Sequence, residues 1–287
     1  RWLAEMKRAA AEALDIPADR IFLKERRRLR GRDGGNVQYG KFSGENFVRV
    51  TEEGGLKFTV NLSDYLDTGL FLDRRVMRNL IRKEAAGKRV LNLFCYTGAF
   101  SVYAASGGAA ETDSVDISNT YLEWARGNFA LNGFAARIFP CEPRAGTGRG
   151  SAAGRAGKYP ALKRAAPNRL VRDDVLRFLS GAASAAKTWD LIILDPPAFS
   201  NSKKMSAVLD IRRDHRELLS RCLALLAPGG RLWFSAGIRG FHPDPAALLA
   251  ALAPRFPGLS IGDAGREIID EDFKGRRPPL CYIFRRG

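Results

Sequence analysis

An apolar segment that ends in a carboxylate and two prolines is the stretch best suited to chemistry. Residues 190–200 read DLIILDPPAFS, so the apolar run stops at Asp195. Pro196 and Pro197 follow at once, and Phe199 comes two residues later. In open α/β sheets, ligands bind at the carboxyl ends of the strands. We therefore expect Asp195 at the edge of a ligand pocket, with the prolines stiffening a loop that presents Phe199 to a substrate.

Three earlier segments also place polar or small residues where strands should end. VLNLF runs into the turn CYTGAF, where Gly98 would allow one close approach of a ligand to the backbone. ETDSVD ends at Asp116, whose carboxylate can accept hydrogen bonds from both hydroxyls of a ribose. RLVRDD ends at Asp173 and Asp174, which are placed to bind an adenine amino group. The four features follow the order found in class I S-adenosylmethionine (SAM) methyltransferases. Because the turn lacks GxGxxG, a nicotinamide or flavin cofactor is disfavoured.

Alternating strand-like and helix-like segments from about residue 74 onward must hold these side chains. Such alternation predicts a mostly parallel sheet with helices on both faces. The helix after ETDSVD is predicted to begin at Ser118 or Asn119 and to end at Asn132–Gly133. The helix before GGRLWFS is predicted to stop at Pro228–Gly230.

Composition divides the chain into two domains and an insertion. Residues 1–73 are predicted to form a small α+β module with a hairpin turn at Glu53–Gly55. Its basic run, Lys24–Arg32, is either a solvated edge strand or an arm that contacts phosphates. Residues 74–287 are predicted to form the cofactor-binding domain. Within it, residues 140–169 are rich in Gly, Ala, Pro and Arg without periodicity, which indicates a mobile basic insertion.

The strong positive charge indicates a polyanionic partner. Lys and Arg number 47 against 31 Asp and Glu, a net charge of +16 with a pI near 10.1. Such an excess favours nucleic acid, because each neutralised phosphate releases counterions. No apolar run reaches the ~18 residues of a membrane span. The opening RWLAEMKRAAAEAL is an amphipathic charged helix and not the pattern of a secretory signal.

The cysteines indicate a reducing compartment. None of the four forms a CxxC pair, which argues against a zinc site and against a disulfide framework. Free, scattered cysteines suit the cytoplasm, and we expect no metal. The four are Cys95, Cys141, Cys222 and Cys281.

Several longer blocks of sequence resemble one known family. YLDTGLFLDRR, TDSVDISNTYLEWARGNFALNG and DPPAFSNSKKM are similar to the RlmK-like guanine-N7 methyltransferases of bacterial 23S ribosomal RNA. The resemblance extends from about residue 15 to the end of the sequence. It implies a Rossmann-like class I methyltransferase fold, with a mostly parallel seven-stranded sheet and an antiparallel final strand at Leu280–Phe284.

The resemblance also implies SAM as the cofactor and assigns its contacts. Asp116 would bind the ribose, Asp174 would lie by the adenine, and Phe94–Ala99 would wrap the methionine part. YLDTGLFLDRR would close over the cofactor through Asp73 or Arg75. The full set of implied contacts is Asp73, Arg75, Asn92, Phe94, Tyr96, Thr97, Gly98, Ala99, Asp116, Ser118, Asp174 and Asp195.

Residue types then help to choose between three target atoms. Carbon 5 of cytosine needs a cysteine nucleophile, which related enzymes place where this chain has Phe234–Gly237. An exocyclic amine usually requires an aromatic directly after the two prolines, and here Ala198 intervenes. Guanine N7 carries no proton and needs no base. Asp195 could stabilise the cationic product base, while Phe199 stacks on a flipped-out base.

Large-subunit ribosomal RNA is the expected partner. The positively charged path would lie near the same strand ends. Its members are Lys203, Lys204, Arg212, Arg213 and Arg239. Two histidines, His215 and His242, are expected to be structural. The alternatives are an RNA methyltransferase with another target atom and a non-catalytic RNA-binding assembly factor that has kept the fold.

Overall fold

The computed structural model describes residues 2–24, 43–140, 167–200, 209–238 and 240–287. Within these ranges the helices are α1 (Trp2–Leu14), α2 (Arg75–Glu84), α3 (Ala99–Ser106), α4 (Asn119–Leu131), α5 (Val175–Ser184), α6 (Ile211–Ala224) and α7 (Pro245–Leu252). None of these helices has the length and apolar character needed to cross a membrane. Most of the predicted basic run and most of the predicted insertion lie outside the described residues.

Twelve strands lie in the same ranges, eight of them in one sheet. They are β1 (Val48–Glu53), β2 (Leu56–Asn61), β3 (Arg89–Leu93), β4 (Glu111–Asp116), β5 (Ala136–Phe139), β6 (Asn168–Arg172), β7 (Trp189–Leu194), β8 (Phe199–Ser200), β9 (Leu209–Asp210), β10 (Leu226–Ala236), β11 (Ser260–Asp263) and β12 (Leu280–Arg285). The large sheet has the order β11-β12-β10-β7-β3-β4-β6-β5. This is the expected Rossmann-like α/β architecture, with β5 added at one edge beyond the seven strands predicted.

The strand order creates a ligand site beside β3. The pairs β3–β4, β4–β6, β3–β7 and β7–β10 are all parallel, whereas β12 runs antiparallel to β10 and to β11. After β3 the chain builds outward through β4 and β6, then returns to place β7 on the other side of β3. The carboxyl ends of β3 and β7 therefore flank the topological switch point, where open α/β sheets bind ligands.

The central strand β7 explains why a continuous apolar run was needed. Its side chains alternate between two separate cores, because successive residues of a strand point to opposite faces. Ile192 and Leu194 pack with residues of α5 and α6. Leu191 and Ile193 pack on the other face with residues of α2 and α3. Both faces of the strand stay buried from Leu191 to Leu194, and the carboxylate of Asp195 then lies partly exposed at its carboxyl end.

The two predicted helix boundaries had different outcomes. Ser118 caps α4, since its side chain accepts a hydrogen bond from the Tyr121 backbone N–H, and the left-handed Gly133 follows the end of the helix. The prediction for α6 was wrong. The helix ends at Ala224, and Pro228–Gly230 lies in an irregular part of β10, where the pairing with β7 shifts between Leu226 and Arg231. Pairing of Leu226 with β7 starts the strand before the turn residues are reached.

The β1–β2 hairpin shares a core with the large sheet. Its turn is the predicted one, with Gly54 in the left-handed region. Phe58 is fully buried and stacks on Tyr103 of α3. Asn128 of α4 and Asn132, which follows the helix, bind the open edge of β2: the Thr59 N–H donates to Asn128 Oδ1 at 2.9 Å, and Asn132 bonds the Lys57 backbone.

Phe58→Ala is expected to destabilise the whole chain in one transition, because the hairpin and the sheet share that core. We expect a loss of about 3–5 kcal/mol, the usual result of emptying a fully buried aromatic site. Chemical unfolding followed by circular dichroism and by tryptophan fluorescence would measure it. Val50→Ala is the control, since Val50 is exposed on β1. Two separate transitions would show instead that the first 73 residues fold as an independent module.

Candidate active site

The turn after β3 has an unusual backbone that the rest of the site contacts. Phe94 and Tyr96 adopt left-handed φ values of 56° and 52°, and Gly98 follows at 72°. Left-handed non-glycine residues are strained and tend to occur at functional sites. The Tyr96 N–H donates to Asp116 Oδ2 at 3.0 Å, and the Gly98 N–H donates to the Cys95 carbonyl at 2.8 Å. These bonds hold a conformation that the side chains alone disfavour.

Gly98 is needed for packing as well as for its backbone angle. A Cβ atom at this position would lie 2.8 Å from the Cβ of Ala125 in α4. Ala99 then begins α3, while Thr97 is buried and donates from Oγ1 to the Gly69 carbonyl at 2.6 Å. The sequence had assigned Gly98 to a close approach by the ligand; the close approach that the structure contains is that of α4.

Residues 65–75, which we call the strap, lie against this turn. The Tyr96 hydroxyl donates to the Asp67 carbonyl at 3.2 Å, and the Tyr96 ring packs on Phe71. Gly69 has a φ of 105°, and a Cβ there would lie 2.3 Å from the indole ring of Trp124. Both the backbone angle and the close contact with α4 therefore require a glycine at this point of the strap.

Asp116 is a half-buried acid with backbone partners. Its Oδ2 accepts the Tyr96 N–H, and its Oδ1 accepts the Ser118 N–H at 2.9 Å. Burial raises the pKa of the Asp116 carboxyl to about 6, even though these N–H groups favour the ionised form. Each oxygen keeps a lone pair that a pair of hydroxyl groups could use.

Asp174 has an acceptor that the described protein leaves unused. Its Oδ1 caps α5 by accepting the Arg177 N–H at 2.9 Å. Its Oδ2 is buried and has no hydrogen-bond partner among the residues that the structure describes. A buried acceptor in this state indicates a missing donor, and an exocyclic amine would supply one. The neighbouring Asp173 binds the Arg177 side chain instead.

Three of the implied cofactor contacts have other partners. The Asn92 amide is buried and donates to Ser101 Oγ at 2.9 Å, beneath α3. The Arg75 guanidinium binds the carboxylates of Asp270 and Asp272. Asp73 is partly exposed and binds Arg74. Their assignment to the cofactor stays a prediction.

Asp195 lies at the end of β7, as predicted, and is held by a residue that sequence reasoning missed. Arg74 donates from Nε to Asp195 Oδ2 at 3.0 Å and from Nη2 to Oδ1 at 3.2 Å. Ser235 of β10 donates from Oγ to Oδ1 at 2.7 Å. Burial alone would lower the pKa of Arg74, but the charge of Asp195 and its hydrogen bonds raise it above its ordinary value. No periodic signal could have separated Arg74 from its charged neighbours.

Phe199 is available to a substrate. Pro196 is buried and Pro197 is half-buried, whereas 49% of Phe199 is exposed. Phe199 is therefore not part of the buried core. Phe199 pairs with Asp210 where β8 meets β9, so the loop beyond Asp195 is anchored at the start of α6.

Part of the proposed RNA path lies beside this loop. Arg212 and Arg213 are exposed in the first turn of α6, where Arg213 binds Asp214. His215 is buried in the same helix and bonds backbone carbonyls, as expected of a structural residue. The remaining candidates lie outside the described residues; they are Lys203, Lys204 and Arg239.

The cysteines of the described ranges are not poised as nucleophiles. Cys95, Cys222 and Cys281 are free and buried. Cys281 of β12 lies opposite Ser235, and burial raises the pKa of its thiol to about 12. A buried thiol with this pKa is protonated at neutral pH. In the same ranges, His, Cys, Asp and Glu form no cluster that could hold a metal ion.

Comparison with known proteins agrees with this geometry. A family model described as S-adenosylmethionine-dependent methyltransferase matches residues 20–139. Ribosomal RNA large subunit methyltransferase K of Neisseria meningitidis is 41% identical over 286 residues, which cover 99% of this chain and 69% of that protein. This chain belongs to the methyltransferase K family.

A longer relative and a solved structure are also similar to this chain. A methyltransferase K/L of Saccharophagus degradans is 44% identical over 286 residues, and the match covers 98% of this chain but only 32% of that protein. The chain thus spans about a third of that longer relative. SMU.776, a putative methyltransferase solved with S-adenosylhomocysteine (SAH), aligns with a TM-score of 0.63 at 25% identity, over 85% of this chain and 57% of that one. The K family member described here is a SAM-dependent methyltransferase.

The affinity of this methyltransferase for SAM is expected to fall as the pH falls through about 6. The reason is that Asp116, the predicted partner of the ribose hydroxyls, accepts hydrogen bonds best when it is ionised, and burial raises its pKa to about 6. Calorimetry should find a Kd for SAM that is about tenfold higher at about pH 5 than at about pH 7.5. Asp116→Asn, as control, should bind weakly with little dependence on pH. An equal pH dependence in that variant would assign the effect to another group.

Proposed function

We propose that this chain methylates N7 of a guanine in 23S ribosomal RNA. The observation that carries the proposal is the geometry of Asp195, whose carboxylate is held at the end of β7 by hydrogen bonds from Arg74 and Ser235. Guanine N7 has an in-plane lone pair and no proton to lose, so its methylation needs no general base. The names of the relatives, which refer to the ribosomal large subunit, support the choice of RNA.

The acids at the strand ends would hold the cofactor. Asp116 would accept hydrogen bonds from the ribose hydroxyls, and the unused Oδ2 of Asp174 would accept one from the adenine amine. Thr97 and Gly98 belong to the turn that would wrap the methionine part, with Phe94, Tyr96, Ala99 and Ser118 beside them. When bound, SAM supplies an activated methyl group on a sulfonium.

The work left to this chain's own residues is alignment and charge stabilisation. Holding two reactants in line can contribute about 7–11 kcal/mol to lowering a barrier. Methylated N7 makes the base cationic, so the fixed negative charge of Asp195 would stabilise the transition state. Phe199, exposed beyond the rigid Pro196–Pro197 segment, would stack on a base taken out of its helix.

Both other target atoms fit the site less well. Carbon 5 of a pyrimidine needs a thiolate, and β10 places Ser235 where related enzymes have a cysteine. The facing Cys281 is buried, and burial raises its pKa. Enzymes that methylate an exocyclic amine usually place an aromatic directly after the two prolines, whereas here Ala198 separates Pro197 from Phe199.

The substrate would reach the site over a basic surface. The net charge of +16 suits a phosphate backbone, and the exposed Arg212 and Arg213 lie at the end of the loop that carries Phe199. We place the protein in the cytoplasm, where the precursors of bacterial ribosomes are found.

One labelling experiment tests the proposed function. Purified protein is mixed with methyl-labelled SAM and unmodified large-subunit ribosomal RNA, and the labelled nucleoside is identified by mass spectrometry. We expect N7-methylguanosine. Labelled N2-methylguanosine or 5-methylcytidine would show that the target is the exocyclic amine of guanine or carbon 5 of cytosine instead. Retained cofactor binding without any labelled nucleoside would favour a non-catalytic RNA-binding role. An Asp195→Ala variant with full activity and unchanged SAM affinity would remove Asp195 from the mechanism.

Phe199→Ala is expected to lower kcat/KM for RNA by about 10- to 100-fold, because base–aromatic stacking is worth about 1–3 kcal/mol. Phe199→Trp should keep most activity, since the indole also stacks. Phe199 is about half exposed, so neither variant should change the melting temperature much. Equal losses in the two variants would contradict a stacking role. SAM affinity, measured by calorimetry, serves as the control and should not change.

A further inference from the structure

The Arg74 side chain joins three separate parts of the site. It is 6% exposed and lies where the strap meets the ends of β7 and β10. Besides the two bonds to Asp195, its Nη1 donates to Asp73 Oδ2 at 2.8 Å. A Cβ atom on Gly237, just beyond β10, would lie 3.4 Å from Arg74 Nη2. The backbone of Gly237 therefore lies close beside the guanidinium of Arg74.

Helix stability does not explain an arginine at this position. Arg74 is the residue that precedes the first turn of α2. The N-terminus of a helix carries a partial positive charge, so a cation there is unfavourable. A buried ion pair is also weak evidence for stability, since apolar replacements of similar volume are often neutral. The position of Arg74 is explained better by the acid that it binds.

Counting acceptors shows what Arg74 does to Asp195. Asp195 Oδ1 receives Arg74 Nη2 and Ser235 Oγ, which use its two acceptor sites. Among the described residues, Oδ2 receives only Arg74 Nε, so one lone pair on Oδ2 remains available. Donors from the strap and from β10 fix the plane of the carboxylate and therefore the direction of that lone pair.

We propose that Arg74 is a positioning residue for methyl transfer and acts through Asp195. It holds the carboxylate so that the open side of Oδ2 faces the substrates, and it fixes the start of the loop that carries Phe199. The role given to Asp195 rests on the proposed function. Arg74 itself need not touch RNA or cofactor, because its donors are turned to Asp195 and Asp73.

A double-mutant cycle on kcat tests this coupling. Arg74→Met should lower kcat by about 10- to 100-fold, because a functional group displaced by about 1 Å can cost up to about a hundredfold in rate. KM for RNA and for SAM should change little. Arg74→Lys should recover only part of the rate, since lysine keeps the charge but not the bidentate fork. The double variant Arg74→Met with Asp195→Asn should have the same kcat as Asp195→Asn alone, because the two substitutions remove the same interaction.

Arg78 provides a matched control. It is also buried, lies one turn further along α2, makes a bidentate pair with Glu53 and donates to the Phe71 carbonyl of the strap, but it does not bind Asp195. Arg78→Met should lower the melting temperature, leave kcat of the folded enzyme unchanged and add independently to Asp195→Asn. Full kcat in Arg74→Met, or additivity of Arg74→Met with Asp195→Asn, would overturn the proposal.

Hydrogen exchange without substrates separates this inference from the proposed function. Arg74→Met should speed exchange of the backbone amides of Asp195, residues 198–200 and residues 209–211, whereas Arg78→Met should speed exchange in β1, in β2 and around Phe71. Unchanged exchange near Asp195 would count against Arg74 even if N7 is the target. If the wild-type enzyme methylates another atom, the proposed function is wrong. The double-mutant cycle on kcat can then still be measured with the product that is actually formed. If Arg74→Met does not fold, Arg74→Lys and Ser235→Ala carry the same test, and unchanged kcat in both would overturn the proposal.

Discussion

The hydrogen bond from the Tyr96 N–H to the Asp116 carboxylate is the interaction on which the site depends. It holds the turn after β3 in a left-handed conformation that its side chains disfavour. With the turn in place, the Tyr96 ring meets Phe71 and the Thr97 hydroxyl binds the Gly69 carbonyl. The strap is thereby laid against the turn, and Arg74, at the end of the strap, reaches Asp195. One half-buried carboxylate thus links the central sheet to a segment that comes before it in the chain.

Three acids at neighbouring strand ends keep different acceptor capacities, because each has a different partner. Backbone N–H groups bind both oxygens of Asp116, and its lone pairs stay available. Helix capping uses one oxygen of Asp174 and leaves the other buried without a partner among the described residues. A guanidinium binds both oxygens of Asp195. Burying a charge is costly unless it is compensated, so the kind of compensation decides what each acid can still do.

Much of the fold was predictable because its signals are local. The parallel sheet follows from the alternation of segments, and the carboxylates follow from the residues that end each apolar run. The hairpin turn and the Ser118 cap were likewise readable from turn and capping residues. The end of α6 was not, because pairing between β10 and β7 overrode the turn residues Pro228–Gly230. The packing of the hairpin against α4 could not be predicted either, since it depends on hydrogen bonds that join Asn128 and Asn132 to a strand edge that is distant in the sequence.

By itself, the sequence determined the architecture, the charge and the acids at the strand ends. Repeating patterns specify which faces are buried, and those patterns survive without knowledge of any partner. Only the tertiary structure decided which of Asp73, Arg74 and Arg75 turns inward, and that Asn92 binds Ser101 beneath a helix. The strap has no repeating pattern, so its side-chain directions are set by groups such as Asp195, which lies more than a hundred residues away along the chain.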